Sequence, residues 1–259
     1  MKEHYFKKVN VLGIDVSVMR PEKAVNISMD LMRAKGLNTV FFLSAGGSLF
    51  CQNSDWAAGL VQSLDLVLTG DRHTEMAAVH QNYNSDVSDE TGRFADEYLM
   101  RLFHKLNREY REIYAVMEQR ELLDALQAYL QEVYPGISFQ GIVYEGETDA
   151  EPDKVVNEIN AFIPDVVFLC LPVEQQLLFV REYSAMMNTR LCICMESMQA
   201  LLHKINISVP RWVNLMHLNT VYRKLKGERK LQDMIVGSIF KKKILNDTET
   251  DEPEEKDEL

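Results

Sequence analysis

Residues 166–171 form an unbroken apolar run, Val-Val-Phe-Leu-Cys-Leu, which gives way to an amphipathic segment after Pro172. Such a run is typical of a parallel strand that is covered on both faces. Turns from a buried strand into a helix hold phosphates in many α/β proteins, usually with glycine for a close backbone approach. Because proline stands at this turn, the sequence predicts an α/β strand exit without the usual phosphate-binding residue.

Strand-like and helix-like segments alternate along most of the chain. The predicted strands are 9–16, 38–44, 64–70, 111–117, 137–144, 166–171 and 189–195. The predicted helices are 20–36, 46–62, 93–110, 118–136, 151–164 and the segment after Pro172, and the polar stretch 80–92 has the composition of a loop. Strands separated by helices of this length form right-handed βαβ units. We therefore predict an α/β fold with a mostly parallel sheet and helices on both faces.

Ligands of parallel sheets bind beyond the carboxyl ends of the strands, which meet at one edge that we call the carboxyl edge. We expect five strand exits to lie together there: 44–47, 69–73, 117–118, 172–176 and 195–197. The most polar of the five strand exits includes residues 69–73, Thr-Gly-Asp-Arg-His. This edge is the predicted location of any functional site.

The four cysteines are expected to be reduced and mostly in the core, because three of them, Cys170, Cys192 and Cys194, lie in strand-like apolar runs. Cys192 and Cys194 would share one side of a strand, but no second Cys/His pair follows at zinc spacing, so we predict no metal site. Residues 1–13 have no apolar stretch typical of a secretory signal, and no run approaches the ~20 apolar residues of a membrane-spanning helix.

The net charge of −11 is unevenly distributed. Residues 211–245 contain nine basic and two acidic side chains, whereas 246–259 contain eight acidic side chains and one lysine. We predict a main domain at 1–205, a basic amphipathic appendage at 206–245 and an acidic disordered tail at 246–259. The tail ends in Lys-Asp-Glu-Leu, which we interpret as a chance occurrence of an endoplasmic reticulum retention signal.

Several segments, in this order and spacing, resemble the WecG/TagA/CpsF glycosyltransferases (glycosyltransferase family 26). They are "VLGIDVSVMRPEKAV", "VLTGDRHTE", "GRFADEYLMRL", "VYPGISFQG", "NEINAFIPDVVFLCLPVEQQLLFV" and "ISVPRWVNLMHLNTVYRKLKGER". The resemblance extends from about residue 9 to 243. It implies a bacterial Rossmann-like enzyme that needs no metal or other cofactor. Such an enzyme transfers an N-acetylhexosamine from a UDP donor to a lipid-linked acceptor, and a basic C-terminal appendage touches the membrane and contributes arginines.

The chain departs from the family at most positions that serve the substrate. The resemblance places Leu43 and Ala45 where the family has Thr-x-Asn, and Gly70, followed by Asp71, where the family has its catalytic aspartate. The glycine of the family's "ERVxG" segment is Asp96, although Arg93 is kept. Neither Leu43 nor Ala45 can position an acceptor hydroxyl.

The glycine-containing donor loops are also changed. The family's "GG" becomes Met117-Glu118, its "GxPxQE" becomes 172–177 with Gln176 kept, and its "GVG" becomes 194–196, ending in Glu196. Backbone N–H groups bind a diphosphate only at close approach, which side chains hinder. Carboxylates beside a diphosphate are also unfavourable. These changes favour a loss of donor binding.

The resemblance implies roles for five residues. Asp71 is the candidate catalytic base, and its alternative role is to cap a helix in a solvated loop. Arg93, Arg223 and Arg229 are candidates for binding the diphosphate, and Arg93 alternatively pairs with a nearby acid. Gln176 either contacts the donor or is simply exposed in the first turn of a helix.

The basic segment 222–245 mixes cations with apolar residues, as in helices that bind membrane surfaces. The alternative is that it packs on its own domain or on another subunit. A nucleic-acid partner is not expected, because the main domain is acidic and the aromatic residues are not interleaved with the cations.

Two hypotheses follow. In the first, the chain transfers a UDP-N-acetylhexosamine to a polyprenyl-diphosphate-linked acceptor at the inner face of the cytoplasmic membrane, in surface-polysaccharide assembly. In the second, it is an inactive relative that binds or scaffolds, as a homo-oligomer or beside an active paralogue. The second hypothesis rests on the intact core pattern combined with the replaced substrate positions.

Overall fold

The computed structural model describes residues 7–80, 94–144, 151–196 and 234–245. The strands are β1 (Lys7–Val11), β2 (Ile14–Val18), β3 (Asn38–Leu43), β4 (Leu66–Thr69), β5 (Glu112–Met117), β6 (Ser138–Val143), β7 (Val166–Cys170) and β8 (Leu191–Cys194). The helices are α1 (Pro21–Arg33), α2 (Ala45–Gln52), α3 (Asp55–Ser63), α4 (Arg72–His80), α5 (Phe94–Arg108), α6 (Arg120–Val133), α7 (Glu151–Phe162) and α8 (Val173–Tyr183), which is followed by a 3-10 turn at Ser184–Met186. A further helix, which we call the C-terminal helix, covers 234–245.

Six strands form one parallel sheet in the order β4-β3-β8-β7-β5-β6. The four inner strands are mostly apolar and almost completely buried, as expected where helices cover both faces. The edge strand β6 is partly exposed. The arrangement confirms the predicted Rossmann-like α/β fold.

Side chains alternate between the two faces of the sheet, so each face has its own core. Val40 and Phe42 of β3 pack with α1, α5 and α6 on the first face. Phe41 and Leu43 pack with α2, α3, α7 and α8 on the second face. Because alternate residues of these mostly apolar strands point to opposite faces, each strand contributes side chains to both cores.

Residues 9–16, predicted as one strand, instead fold back as the hairpin of β1 and β2. Leu12 and Gly13 occupy the turn with φ angles of 49° and 87°, so both turn residues have the positive φ that tight hairpins require. The Asn10 side chain accepts the Gly13 N–H at 2.9 Å. The hairpin packs beside β4 on the second face and does not join the parallel sheet.

The helices differ from the prediction in two places. The helix predicted at 46–62 is divided into α2 and α3, because the chain turns at Asn53 and Ser54. Helix α4 was not predicted, and it begins directly after Asp71. The polar loop predicted at 80–92 and the acidic tail at 246–259 lie outside the described residues, except that His80 ends α4.

The four cysteines are unpaired and buried, which confirms their predicted place in the core. The sulfur atoms of Cys192 and Cys194 lie 4.0 Å apart on the second face. Burial raises the pKa of the Cys170 thiol, and a contact with Cys192 together with burial raises that of Cys194. Protonated thiols are poor nucleophiles and poor metal ligands.

Candidate active site

The strand exits meet at the carboxyl edge as predicted. Gly70 donates its N–H to the Leu43 carbonyl at 2.7 Å, which joins the exits of β4 and β3. Ser44 Oγ donates to the carboxylate of Glu196, which follows β8. Val173, after β7, lies beside Gly47 of α2. The edge therefore brings together residues that are far apart in the sequence.

Asp71 holds two helices in place. One carboxylate oxygen accepts the Thr74 N–H at 2.8 Å and so caps α4. The other oxygen accepts the Ala45 N–H at 2.7 Å, in the first turn of α2. Asp71 therefore performs the capping role that was the alternative to catalysis. A catalytic role for this carboxylate remains a prediction.

Gly70, at the position of the family's catalytic aspartate, lies against the backbone of β3. A Cβ atom at Gly70 would lie 2.8 Å from the Phe42 carbonyl oxygen and 2.9 Å from the carbonyl carbons of Phe42 and Leu43. Contacts this short are repulsive, and backbone atoms cannot rotate away from them. The geometry therefore leaves no room for a residue larger than glycine at position 70 unless the exit of β4 moves.

Leu43 and Ala45 lie where the resemblance implies polar substrate-binding residues. Leu43 is fully buried, and Ala45 is 1% exposed. Both belong to the core of the second face. These positions now contribute to packing and offer no polar atom to an acceptor.

Gln176 is also completely buried. It is therefore not exposed in the first turn of its helix, which was the predicted alternative to contact with the sugar donor. Its side-chain amide donates to the Leu171 carbonyl at 2.6 Å, directly before Pro172. Its amide oxygen has no hydrogen-bond partner, and neither do those of Gln175 and Gln119. A buried acceptor without a partner costs about 1–3 kcal/mol.

These three glutamines follow β7 and β5, which are neighbours in the sheet. The sequence reasoning did not single out Gln119 or Gln175. Their position after predicted strands was the available signal. All three oxygens are enclosed, so an external N–H or O–H donor would reach them only after side chains at this part of the edge move.

The C-terminal helix packs against the same edge. Its Gly237 faces the His73 ring, since a Cβ atom there would overlap Nε2. Val236 lies near Gly46 at the start of α2, and Lys243 donates to Gln52 at its end. Because Phe240 is 2% exposed and belongs to the core of the second face, this helix packs on its own domain. It therefore lies alongside α2.

The remaining candidate residues are three arginines. Arg93, Arg223 and Arg229 lie outside the described residues, as does most of the predicted appendage at 206–245. In the part of the chain that the structure describes, no cluster of three His, Cys, Asp or Glu side chains could hold a metal ion. No helix within 7–80, 94–144, 151–196 or 234–245 is long and apolar enough to cross a bilayer.

Comparison with known proteins agrees with this architecture. The model of the glycosyl transferase WecG/TagA/CpsF family matches residues 9–241, from the hairpin through most of the C-terminal helix. No curated protein matches the chain significantly. Since the family match covers most of the sequence and the fold is the α/β fold expected for it, this chain belongs to the WecG/TagA/CpsF glycosyltransferase family.

Proposed function

We propose that the chain is a non-catalytic member of its family that acts as a binding or scaffolding subunit. The observation that carries this proposal is the backbone contact at Gly70. The position of the family's catalytic aspartate is closed by β3, so the missing carboxylate cannot be supplied there without moving the strand exit.

The surroundings of Gly70 support the same conclusion. Leu43 and Ala45 are buried apolar residues, and the carboxylate of Asp71 already accepts two backbone N–H groups. A general base needs an oxygen that can approach the acceptor hydroxyl. A carboxylate that is engaged with two helix N-termini is poorly placed for this role.

A second candidate function is active sugar transfer. The unpartnered oxygens of Gln119, Gln175 and Gln176 favour it, because buried acceptors without partners would gain hydrogen bonds if the edge opened around a donor. In this case, a UDP-N-acetylhexosamine would supply the N–H and O–H donors. Asp71 would be the base, and Arg93, Arg223 and Arg229 would neutralise the diphosphate. The acceptor would be a polyprenyl-diphosphate-linked sugar in surface-polysaccharide assembly.

The outer face of the C-terminal helix favours attachment to the inner surface of the cytoplasmic membrane. Met234, Ile235 and Ile239 are 63%, 61% and 48% exposed, and they lie beside the exposed Lys241 and Lys242. Apolar side chains combined with lysines are typical of helices that lie in an anionic lipid interface.

Flotation with vesicles that contain phosphatidylglycerol tests this attachment. Replacement of Ile235 and Ile239 by glutamate should reduce the bound fraction several-fold. Met100→Glu is the control, since Met100 is equally exposed but lies on α5, on the first face. Equal binding of all variants contradicts the proposal.

Calorimetric titration with UDP, UDP-N-acetylglucosamine and UDP-N-acetylmannosamine separates the two functions. A non-catalytic subunit should give no heat at millimolar nucleotide and no transfer to a polyprenyl-linked acceptor. Co-purification of an active glycosyltransferase from native lysate would then support the scaffolding role. Micromolar binding that weakens in Arg93→Ala or Gln176→Ala, followed by transfer that Asp71→Asn abolishes, would instead establish the active enzyme.

A further inference from the structure

The described residues on either side of segment 197–233 both lie at the N-terminus of α2. Glu196, just before the segment, accepts a hydrogen bond from Ser44, which is 152 residues away in the sequence. Val236 of the C-terminal helix, just after the segment, packs near the same turn of α2. A Cβ atom at Gly46 would be 3.9 Å from Glu196 Oε1 and 4.0 Å from Val236 Cγ1. The first turn of α2 is therefore contacted by residues that flank this segment on both sides.

Several hydrogen-bond donors of this turn are used within the chain itself. The Gly47 N–H donates to Ser44 Oγ at 2.8 Å, and the Ser44 hydroxyl donates onward to the Glu196 carboxylate. The Ala45 N–H is taken by Asp71. A helix N-terminus attracts anions through its N–H groups and its dipole. Here two carboxylates of the same chain occupy that position.

We infer that Glu196 is an internal anion that closes the N-terminus of α2 to phosphate-bearing ligands. This inference rests on the proposed non-catalytic function and gives it a physical basis at one residue. An external phosphate would have to displace a carboxylate that is already bound to Ser44. It would also lie beside two negative charges, so removal of the Glu196 charge should open the turn.

The test measures binding of inorganic phosphate and of UDP to the full chain by calorimetry at low salt. Glu196→Gln removes the charge but keeps an oxygen that can accept the Ser44 hydroxyl, and Glu196→Gly also removes the side chain from Gly46. Both variants should bind the probes at least ten-fold more tightly than the unmodified chain, and added salt should weaken this binding. Glu174→Gln is the matched control, because Glu174 is an exposed acid in the first turn of α8 at the same edge.

The inference is overturned if neither variant gains affinity, if Glu174→Gln gains as much, or if the unmodified chain already binds phosphate with micromolar affinity. Urea unfolding of each variant guards against misfolding, and Glu196→Gln decides the result if Glu196→Gly is unstable. Sugar transfer by the unmodified chain would refute the proposed function. An inactive chain whose variants gain no affinity would refute this inference alone.

Discussion

Gly70→Ala should destabilise the protein, although alanine is usually a mild replacement. The new Cβ would meet the Phe42 carbonyl oxygen at 2.8 Å and two carbonyl carbons at 2.9 Å. Such overpacking typically costs about 1–3 kcal/mol. Moving the exit of β4 also stretches the 2.7 Å hydrogen bond from Gly70 to Leu43, which contributes about 0.5–1.5 kcal/mol. We expect a combined loss of about 1.5–4.5 kcal/mol.

Urea unfolding followed by circular dichroism measures this loss, and the melting temperature should fall by roughly 3–18 °C. Gly59→Ala is the matched control. Gly59 lies in α3 with open space around its Cβ position, so alanine should stabilise the helix by about 0.5–1 kcal/mol. Gly70→Asp, which restores the family's residue, should be at least as unstable as Gly70→Ala and should not create transfer activity. A Gly70→Ala protein as stable as the unmodified chain refutes the steric argument.

Three further predictions concern the core. Phe240→Ala removes the buried anchor of the C-terminal helix, which costs about 3–5 kcal/mol if the helix stays docked. The amide hydrogens of this helix should therefore exchange much faster with solvent, whereas Ile239→Ala should change their exchange little. Burial raises the pKa of Cys51 from its ordinary value of 9.0 to about 11. Since only the unfolded chain loses this proton between pH 9 and 11, the free energy of unfolding should fall over this range, and it should fall less steeply in Cys51→Ala. Tyr98→Phe removes a buried hydroxyl that lies 2.7 Å from Ser28 Oγ, and chemical unfolding should show a loss of about 1 kcal/mol, smaller when Ser28→Ala is also present.

The parallel sheet could be predicted because its strands are long apolar runs between amphipathic helices. The hairpin could not, since its turn places Leu12 at a positive φ, where asparagine or glycine is usual. Helix α4 was missed because its first turn, Arg72 to Glu75, is polar and has no apolar periodicity. Its start was visible only as Asp71, which the resemblance marked as a candidate base.

The candidate site, like the fold, could be predicted from the sequence only in part. The strand exits that form the carboxyl edge followed from topology, and the family motifs located Gly70 and Gln176. The sequence did not reveal that β3 seals Gly70, nor that Ser44 binds Glu196. Both depend on distances across the sheet that no local pattern contains. The burial of Gln176 depends in the same way on the carbonyl of Leu171 being turned towards it.

The strand order also determines how the protein must assemble. β8 has four residues and is the last of the described strands in sequence order, yet it lies between β3 and β7. Until β8 is synthesised, β3–β4 and β7–β5–β6 are separate half-sheets, each with an unpaired apolar edge. Long-range pairing of this kind slows folding and leaves intermediates prone to aggregation. A chain stopped before Leu191 should therefore collapse and aggregate, whereas one that includes β8 can close both edges at once.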